Sequence, residues 1–224
     1  MDIESILHET LKPALGCTEP VAISLGVAAA VMATEGWSPQ NPHIPMKALA
    51  VEDVESVRVA MNKGVFKNAF SIYIPNAGGD KGILIAAALG AWCDPSLGLG
   101  LFRDLAHEDV ARARRLIDEN KVSIEIVPAE DTDLFIAATV RIRKGNETLE
   151  GCSIIKDEHT NFVHLACDGM EIFCRDSSEN GIVADTAEHT IQNLKRLNQS
   201  MQAAEDKIIQ IMQEKIAPAP NPNS

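Results

Sequence analysis

The hydrophobic pattern predicts four helices in the first 120 residues of the chain. Ile3, Ile6, Leu7 and Leu11 recur at helical spacing, which indicates a short amphipathic helix over residues 3–12. The other three predicted helices cover about residues 18–34, 81–92 and 107–120.

The helix predicted over residues 18–34 carries clear signals at its start. Pro20 favours the first turn of a helix, and Thr18 is the predicted N-cap. The apolar run over residues 21–33 is too short to cross a bilayer and is typical of a buried helix. Its many small residues would let neighbouring elements pack closely against it.

A different period, the alternation of apolar and polar residues, predicts a strand-rich segment after residue 120. The alternation is clearest over residues 134–142 and is typical of a half-buried strand. Asp168-Gly169 lies between two apolar runs, which favours a tight hairpin. The predicted strands cover residues 51–60, 69–75, 122–126, 134–142, 147–155, 162–166 and 170–173, with a turn at residues 62–68.

The last predicted element is a long helix over about residues 184–216, followed by a Pro- and Asn-rich tail at 217–224 that we expect to be disordered. Its heptad-like apolar stripe would suit a homodimer seam or packing on the protein's own sheet. The stripe consists of Leu194, Leu197, Met201, Ala204, Ile208 and Ile211. The elements together predict an α/β mixed (α+β) fold, with a small mixed sheet flanked by helices in a single domain over residues 1–216.

Composition narrows the classes of function. The net charge of −12 argues against nucleic-acid binding, because such proteins usually present a basic face. The N-terminal residues lack the basic start of a signal peptide, and no membrane span is predicted, so we expect a cytoplasmic protein. Five cysteines without signs of secretion favour thiols or metal ligands over a disulfide framework.

Cys17 is the residue that we expect to carry chemistry. A thiol at a helix N-terminus faces unpaired backbone N–H groups and the positive end of the helix dipole, both of which favour the thiolate. Gly16 lets the backbone turn tightly beside it. The alternative is a buried structural cysteine, since cysteine thiols are often buried.

Five sequence blocks carry a resemblance to a known family. The first and most specific is Lys12-Pro13-Ala14-Leu15-Gly16-Cys17-Thr18-Glu19-Pro20-Val21-Ala22-Ile23, and the others are Lys67-Asn68, residues 82–90, Asp94-Pro95 and residues 159–164. Together they resemble the L-cysteine desulfidase family, which is related to the iron–sulfur L-serine dehydratase alpha chains.

The resemblance implies a β-elimination that converts L-cysteine, or L-serine, into pyruvate and ammonia, with sulfide released from cysteine. It implies a [4Fe–4S] cluster held by three cysteines, with one open iron acting as a Lewis acid on the substrate. Cys17 matches the first cluster cysteine of the family. Lys67, Asn68, His159, Thr160 and Asn161 are candidates for substrate binding; the alternatives are a polar strand start for the first pair and turn chemistry for the other three.

The chain also departs from the family pattern. Family members are much longer, and their other two cluster cysteines lie in second-half blocks that have no match here. Residues 181–193 and 200–212 resemble the extreme C-terminus of the family, so the middle of the family sequence has no counterpart. One cysteine cannot hold a cubane cluster. Other cysteines of this chain would have to substitute, a companion subunit would have to supply them, or the cluster has been lost.

Two rival hypotheses follow from the residues. The first is a non-catalytic remnant or scaffold that dimerises or binds a partner or a small amino acid. The second is a zinc-binding module, which requires Cys152, Cys167 or Cys174 to face His159 or His164.

Overall fold

The computed structural model describes residues 16–129 and 132–175. Its helices are α1 (Thr18–Ala33), α2 (Lys63–Ala69), α3 (Ile83–Leu89) and α4 (His107–Asp118), with short 3-10 turns at Val51–Asp53, Gly90–Trp92 and Pro95–Gly100. Its strands are β1 (Val54–Met61), β2 (Val122–Ile126), β3 (Phe135–Lys144), β4 (Glu147–Lys156), β5 (Phe162–Cys167) and β6 (Met170–Cys174). The predicted α+β fold is confirmed.

The strands form one mixed sheet in the order β2-β1-β3-β4-β5-β6. β1 and β2 are parallel, and all other neighbours are antiparallel. The crossover between the two parallel strands contains α2, α3 and α4. The β5–β6 hairpin turns at Asp168 and Gly169, which both have positive φ as a tight two-residue turn requires.

Helix α1 is the centre of the core. Every residue from Pro20 to Ala33 is buried, and such a helix needs partners on all sides because it has no polar face to turn to water. β3 and β4 lie against one side of it, and α3 with the following 3-10 turn lies against another. Ser24 donates its hydroxyl hydrogen to the backbone oxygen of Ala86 in α3.

Glycine makes the contact between α1 and the sheet possible. The backbone of Gly151 in β4 comes so close to α1 that a Cβ at this position would lie 1.9 Å from the backbone oxygen of Ala30. Two residues along the same strand, Ser153 donates a hydrogen bond to the backbone oxygen of Gly26 at 2.6 Å. Small residues in both elements therefore set the depth at which α1 sits on the sheet.

The predicted secondary structure was wrong over residues 62–75. Residues 62–68 were expected to form a turn, but Lys63–Ala69 is helical, because the side chain of Asn62 caps the helix by accepting a hydrogen bond from the Val65 backbone. The strand expected at 69–75 is absent; of those residues, only Tyr73 makes an isolated bridge, to Lys81. A backbone hydrogen bond joins the two ends of this segment instead, with the Gly82 N–H donating to the Ile72 carbonyl oxygen.

The helix predicted at residues 3–12, the long helix at 184–216 and the tail at 217–224 lie outside the described residues. The dimer seam proposed for the long helix is therefore still a prediction. Within residues 16–129 and 132–175, no helix has the length and apolar character needed to cross a bilayer.

Candidate active site at the start of helix α1

Three consecutive polar residues lie at the start of α1, namely Cys17, Thr18 and Glu19. Gly16 precedes them with φ of 149°, a value that favours glycine, and Cys17 takes the N-cap position with an extended backbone. The predicted N-cap, Thr18, is instead the first helical residue. Its hydroxyl lies 3.0 Å from Nε2 of His159, in the turn between β4 and β5.

The Glu19 carboxylate links two of the predicted residues. Its Oε2 accepts a hydrogen bond from the Cys17 thiol at 2.7 Å, and its Oε1 accepts one from Nδ2 of Asn68 at 3.0 Å. We call Cys17, Thr18, Glu19, Asn68 and His159 the Cys17 site. It joins the start of α1, the end of α2 and the β4–β5 turn.

Burial raises the pKa of the Cys17 thiol, and the hydrogen bond that the thiol donates to Glu19 raises it further. Burial also acts to raise the pKa of Glu19, but hydrogen bonds from Cys17 and Asn68, together with the nearby His159, outweigh it and leave the pKa lowered. The two residues therefore hold a thiol and a carboxylate. The helix N-terminus favours a thiolate at Cys17, but the adjacent Glu19 carboxylate opposes it.

The other predicted substrate-binding residues lie around the Cys17 site or in its supporting turn. Lys67 is exposed in the last turn of α2, next to Asn68. Thr160 approaches the Pro95–Gly100 turn, where a Cβ on Gly98 would lie 3.9 Å from its methyl group. Asn161 donates its side-chain amide to the backbone oxygen of Lys156 at 2.9 Å, which closes the β4–β5 turn. Asn161 therefore stabilises the turn, which was the alternative to substrate binding for this residue.

The remaining cysteines lie in other environments. Cys93 is buried, and burial raises its pKa to about 12. Cys152 follows Gly151, which contacts α1 at Ala30, thirteen residues or about 20 Å along the helix from Cys17. Cys167 pairs with Gly151 across the sheet, and Cys174 pairs with His164.

Sequence reasoning did not name Glu19 as a candidate site residue. It lies in the block that carries the family resemblance, but an acidic residue in the first turn of a helix already has a sufficient explanation in the helix dipole. The available signal was its spacing, because a carboxylate two residues after a cysteine at a helix start can reach back to the thiol.

Chemically, the Cys17 site combines a protonated thiol, an ionised carboxylate, an amide and an imidazole within three connected segments. The carboxylate and amide suit an ammonium or carboxylate group of a small ligand, and the imidazole can accept or release a proton.

Sequence comparison identifies relatives that are much longer than this chain. It is 34% identical over 183 residues to a UPF0597 protein from Geobacter sulfurreducens, a match covering 80% of this chain and 38% of the relative. It is 31% identical over 209 residues to a UPF0597 protein from Shewanella baltica, covering 92% and 44%. It is 29% identical over 193 residues to a UPF0597 protein from Vibrio parahaemolyticus, covering 86% and 40%.

The chain thus spans about two fifths of the length of these curated relatives. No family model matches the chain, and no solved structure matches it. The names of the relatives support a relationship at the level of the family and specify no reaction.

Proposed function

We propose that the Cys17 site is the substrate-binding and proton-transfer part of a β-eliminating lyase of the L-cysteine desulfidase type, acting on L-cysteine or L-serine. One observation supports this most strongly. Cys17, Asn68 and His159 come from separate sequence blocks that resemble that family, and Glu19 and Thr18 join them by hydrogen bonds.

Substrate binding would use the polar groups at the rim of the site. Glu19 and the Asn68 amide can bind the ammonium and carboxylate groups of a free amino acid, and Lys67 offers an exposed ammonium group beside Asn68. A small amino acid matches this set because it carries both charges on one carbon.

His159 is the proposed base, because its imidazole is held at the site by the Thr18 hydroxyl. The imidazole takes the α-proton, the C–H electron pair forms the Cα=Cβ bond, and the C–S bond breaks with its electrons going to sulfide. The aminoacrylate that remains becomes an imine, and water hydrolyses it to pyruvate and ammonia. With L-serine, hydroxide leaves in place of sulfide.

The [4Fe–4S] cluster implied by the resemblance does not fit this chain alone. All five cysteines lie within the described residues, and Cys152 and Cys167 belong to the region about 20 Å along α1 from Cys17. A cubane cluster needs thiolates on several irons. Cys17 can supply one of them, whereas Cys93 is buried in the core and Cys174 pairs with His164 in the last hairpin. A companion subunit could provide the remaining thiolates.

Pyruvate formation tests the proposal. The full chain is incubated anaerobically with L-cysteine or L-serine. We expect pyruvate from the parent and a rate at least about 100-fold lower in His159→Gln, the size of effect typical of a lost general base. The exposed His43 provides the matched control variant, His43→Gln, which should keep the parent rate. A His159→Gln variant as active as the parent would overturn the proposed base.

The second candidate function is a non-catalytic domain that binds the same small amino acids. The observation that favours it is that Cys17 is paired with a carboxylate, and not with further cysteines, among the residues that the structure describes. Calorimetric titration with L-cysteine and L-serine separates the two. Binding that weakens in Asn68→Ala without pyruvate formation supports the second candidate; absence of both binding and turnover would contradict both.

A further inference from the structure

A β-bulge in the last hairpin brings together three side chains that sequence alternation would separate. Leu165 pairs with Phe173, but Ala166 pairs with Glu171, so Ile172 is an extra residue in β6. Strict alternation would place Glu171 and Cys174, three residues apart, on opposite faces. The bulge places both on one face, beside His164, which pairs directly with Cys174.

The ligand atoms of these residues lie close together. The Nδ1 atom of His164 is 3.7 Å from a carboxylate oxygen of Glu171, and the thiol of Cys174 completes a group in which all three atoms lie within 4.8 Å of one another. The separation of 3.7 Å is too long for a hydrogen bond. It is the separation expected of two atoms bound to the same metal ion, since ligands at 2.0–2.3 Å in a tetrahedral site lie about 3.3–3.8 Å apart.

We propose that His164, Glu171 and Cys174 bind one divalent ion of the zinc class. An imidazole, a thiolate and a carboxylate form a mixed donor set that suits Zn²⁺ and Co²⁺, whereas Mg²⁺ and Ca²⁺ prefer oxygen alone. Three protein ligands leave the fourth tetrahedral position for water or another ligand.

The surroundings favour a built site over a chance surface cluster. The His164 side chain is only 16% exposed, so its ring is held in place, while Glu171 and Cys174 lie at the outer strand where an ion can enter. The thiol lies within 4.8 Å of the other two ligand atoms, so a side-chain rotation can bring it to the ion. The existing strand register already places the three residues side by side, so metal binding needs no change in that register.

This metal site is separate from the Cys17 site. Leu165 and Phe173, the neighbours of His164 and Cys174 along their strands, are buried in the core. Because successive side chains of a strand point to opposite faces, His164 and Cys174 lie on the face of the sheet away from that core. The core face is the one that contacts α1, through Ser153 and Gly26. Loss of lyase activity would therefore not contradict metal binding at this site, and loss of metal binding would not contradict the proposed lyase.

Cobalt titration of the full chain tests the proposal, because tetrahedral Co²⁺ absorbs strongly in the visible region and its bond to a thiolate adds a near-ultraviolet charge-transfer band. We expect one equivalent to bind and Zn²⁺ to displace it. Cys174→Ser should abolish the charge-transfer band, and His164→Gln and Glu171→Gln should each weaken binding at least about tenfold.

Cys167→Ser is the matched control, since Cys167 lies at the other end of the same hairpin, and Cys17→Ser controls for the Cys17 site. Both should bind cobalt like the parent. Binding that survives Cys174→Ser, or that is lost in Cys17→Ser, would overturn the proposal. A second readout needs no variant: Zn²⁺ should protect Cys174 of the parent from alkylation more than Cys167, and equal labelling with and without zinc would also contradict it.

Discussion

The Thr18 hydroxyl and the Nε2 atom of His159 lie 3.0 Å apart although the two residues are 141 positions apart in the chain. This contact fixes the β4–β5 turn against the first turn of α1. Because Thr18 is the first helical residue and not the N-cap, its hydroxyl is available to the imidazole instead of the helix backbone. The contact thus joins two of the family-like sequence blocks into one site.

A double-mutant cycle measures this contact. Thr18→Val removes the hydroxyl at nearly constant shape, and His159→Gln removes the imidazole. We expect the free energies of unfolding in urea to show a coupling of about 1 kcal/mol, the usual contribution of a hydrogen bond that is partly buried. Thr148, whose hydroxyl bonds to the exposed Glu55, provides the control: Thr148→Val combined with His159→Gln should be additive. A Thr18–His159 coupling within about 0.3 kcal/mol of zero would contradict the contact.

The reactivity of Cys17 should depend on Glu19. Burial and the carboxylate both raise the pKa of the thiol, so Glu19→Gln removes one cause and leaves the other. We expect alkylation of Cys17 by iodoacetamide near neutral pH to become about threefold faster or more in Glu19→Gln, because a larger fraction of the sulfur is thiolate. Peptide-resolved mass spectrometry distinguishes Cys17 from the other cysteines.

Glu158→Gln is the charge-matched control for this experiment, since Glu158 is exposed in the β4–β5 turn. It should leave the alkylation rate of Cys17 unchanged. Slower labelling in Glu19→Gln than in the parent would show that the carboxylate promotes the thiolate, the opposite of the stated cause.

Local patterns were sufficient for most of the fold. The alternation over residues 134–142 predicted β3, and Asp168-Gly169 predicted the β5–β6 hairpin, because both signals depend on near neighbours in sequence. Helix α2 was missed because its start depends on Asn62, whose amide also donates to the backbone of Thr132 and Asp133. Those partners are about 70 residues away, and no short window of sequence contains them.

Several residues of the candidate site could be predicted from the sequence, but their arrangement in space could not. Cys17, Asn68 and His159 were named from their sequence blocks, yet only the fold shows that Glu19 and Thr18 connect them. The zinc hypothesis required Cys152, Cys167 or Cys174 to face His159 or His164. Strand alternation alone could not predict that Glu171 lies beside His164 and Cys174, because the bulge at Ile172 changes which face a residue of β6 occupies.

Gly151 should tolerate substitution poorly. A Cβ in Gly151→Ala would lie 1.9 Å from the Ala30 backbone oxygen, so the helix or the strand would have to move. We expect the free energy of unfolding to fall by about 3 kcal/mol, the upper part of the range for overpacking. Gly26→Ala at the same interface is the control, because its Cβ would meet Ile136 at 3.4 Å and need only a small adjustment. Similar losses in both variants would contradict the assignment of the closest approach to Gly151.

Glu125 should make the protein less stable as pH rises. It lies in β2, its Oε2 atom is buried without a hydrogen-bond partner among the described residues, and burial raises its pKa above the usual value of 4.5. The folded protein therefore holds the Glu125 proton to higher pH than the unfolded chain does. Between the two pKa values the folded state binds more protons, so this residue lowers the free energy of unfolding as pH rises through that window.

Glu125→Gln removes the charge at nearly constant shape. We expect the variant to be about 1 kcal/mol more stable than the parent at neutral pH, where the parent carries a buried carboxylate, and the difference to shrink below pH 4.5 as the parent carboxyl becomes protonated. Urea unfolding followed across this pH range measures the difference. Glu147→Gln, at an exposed position of β4, should leave stability nearly unchanged at every pH. If the gain in Glu125→Gln were the same at acidic and neutral pH, the buried charge would not be its cause, and packing around β2 would have to explain it.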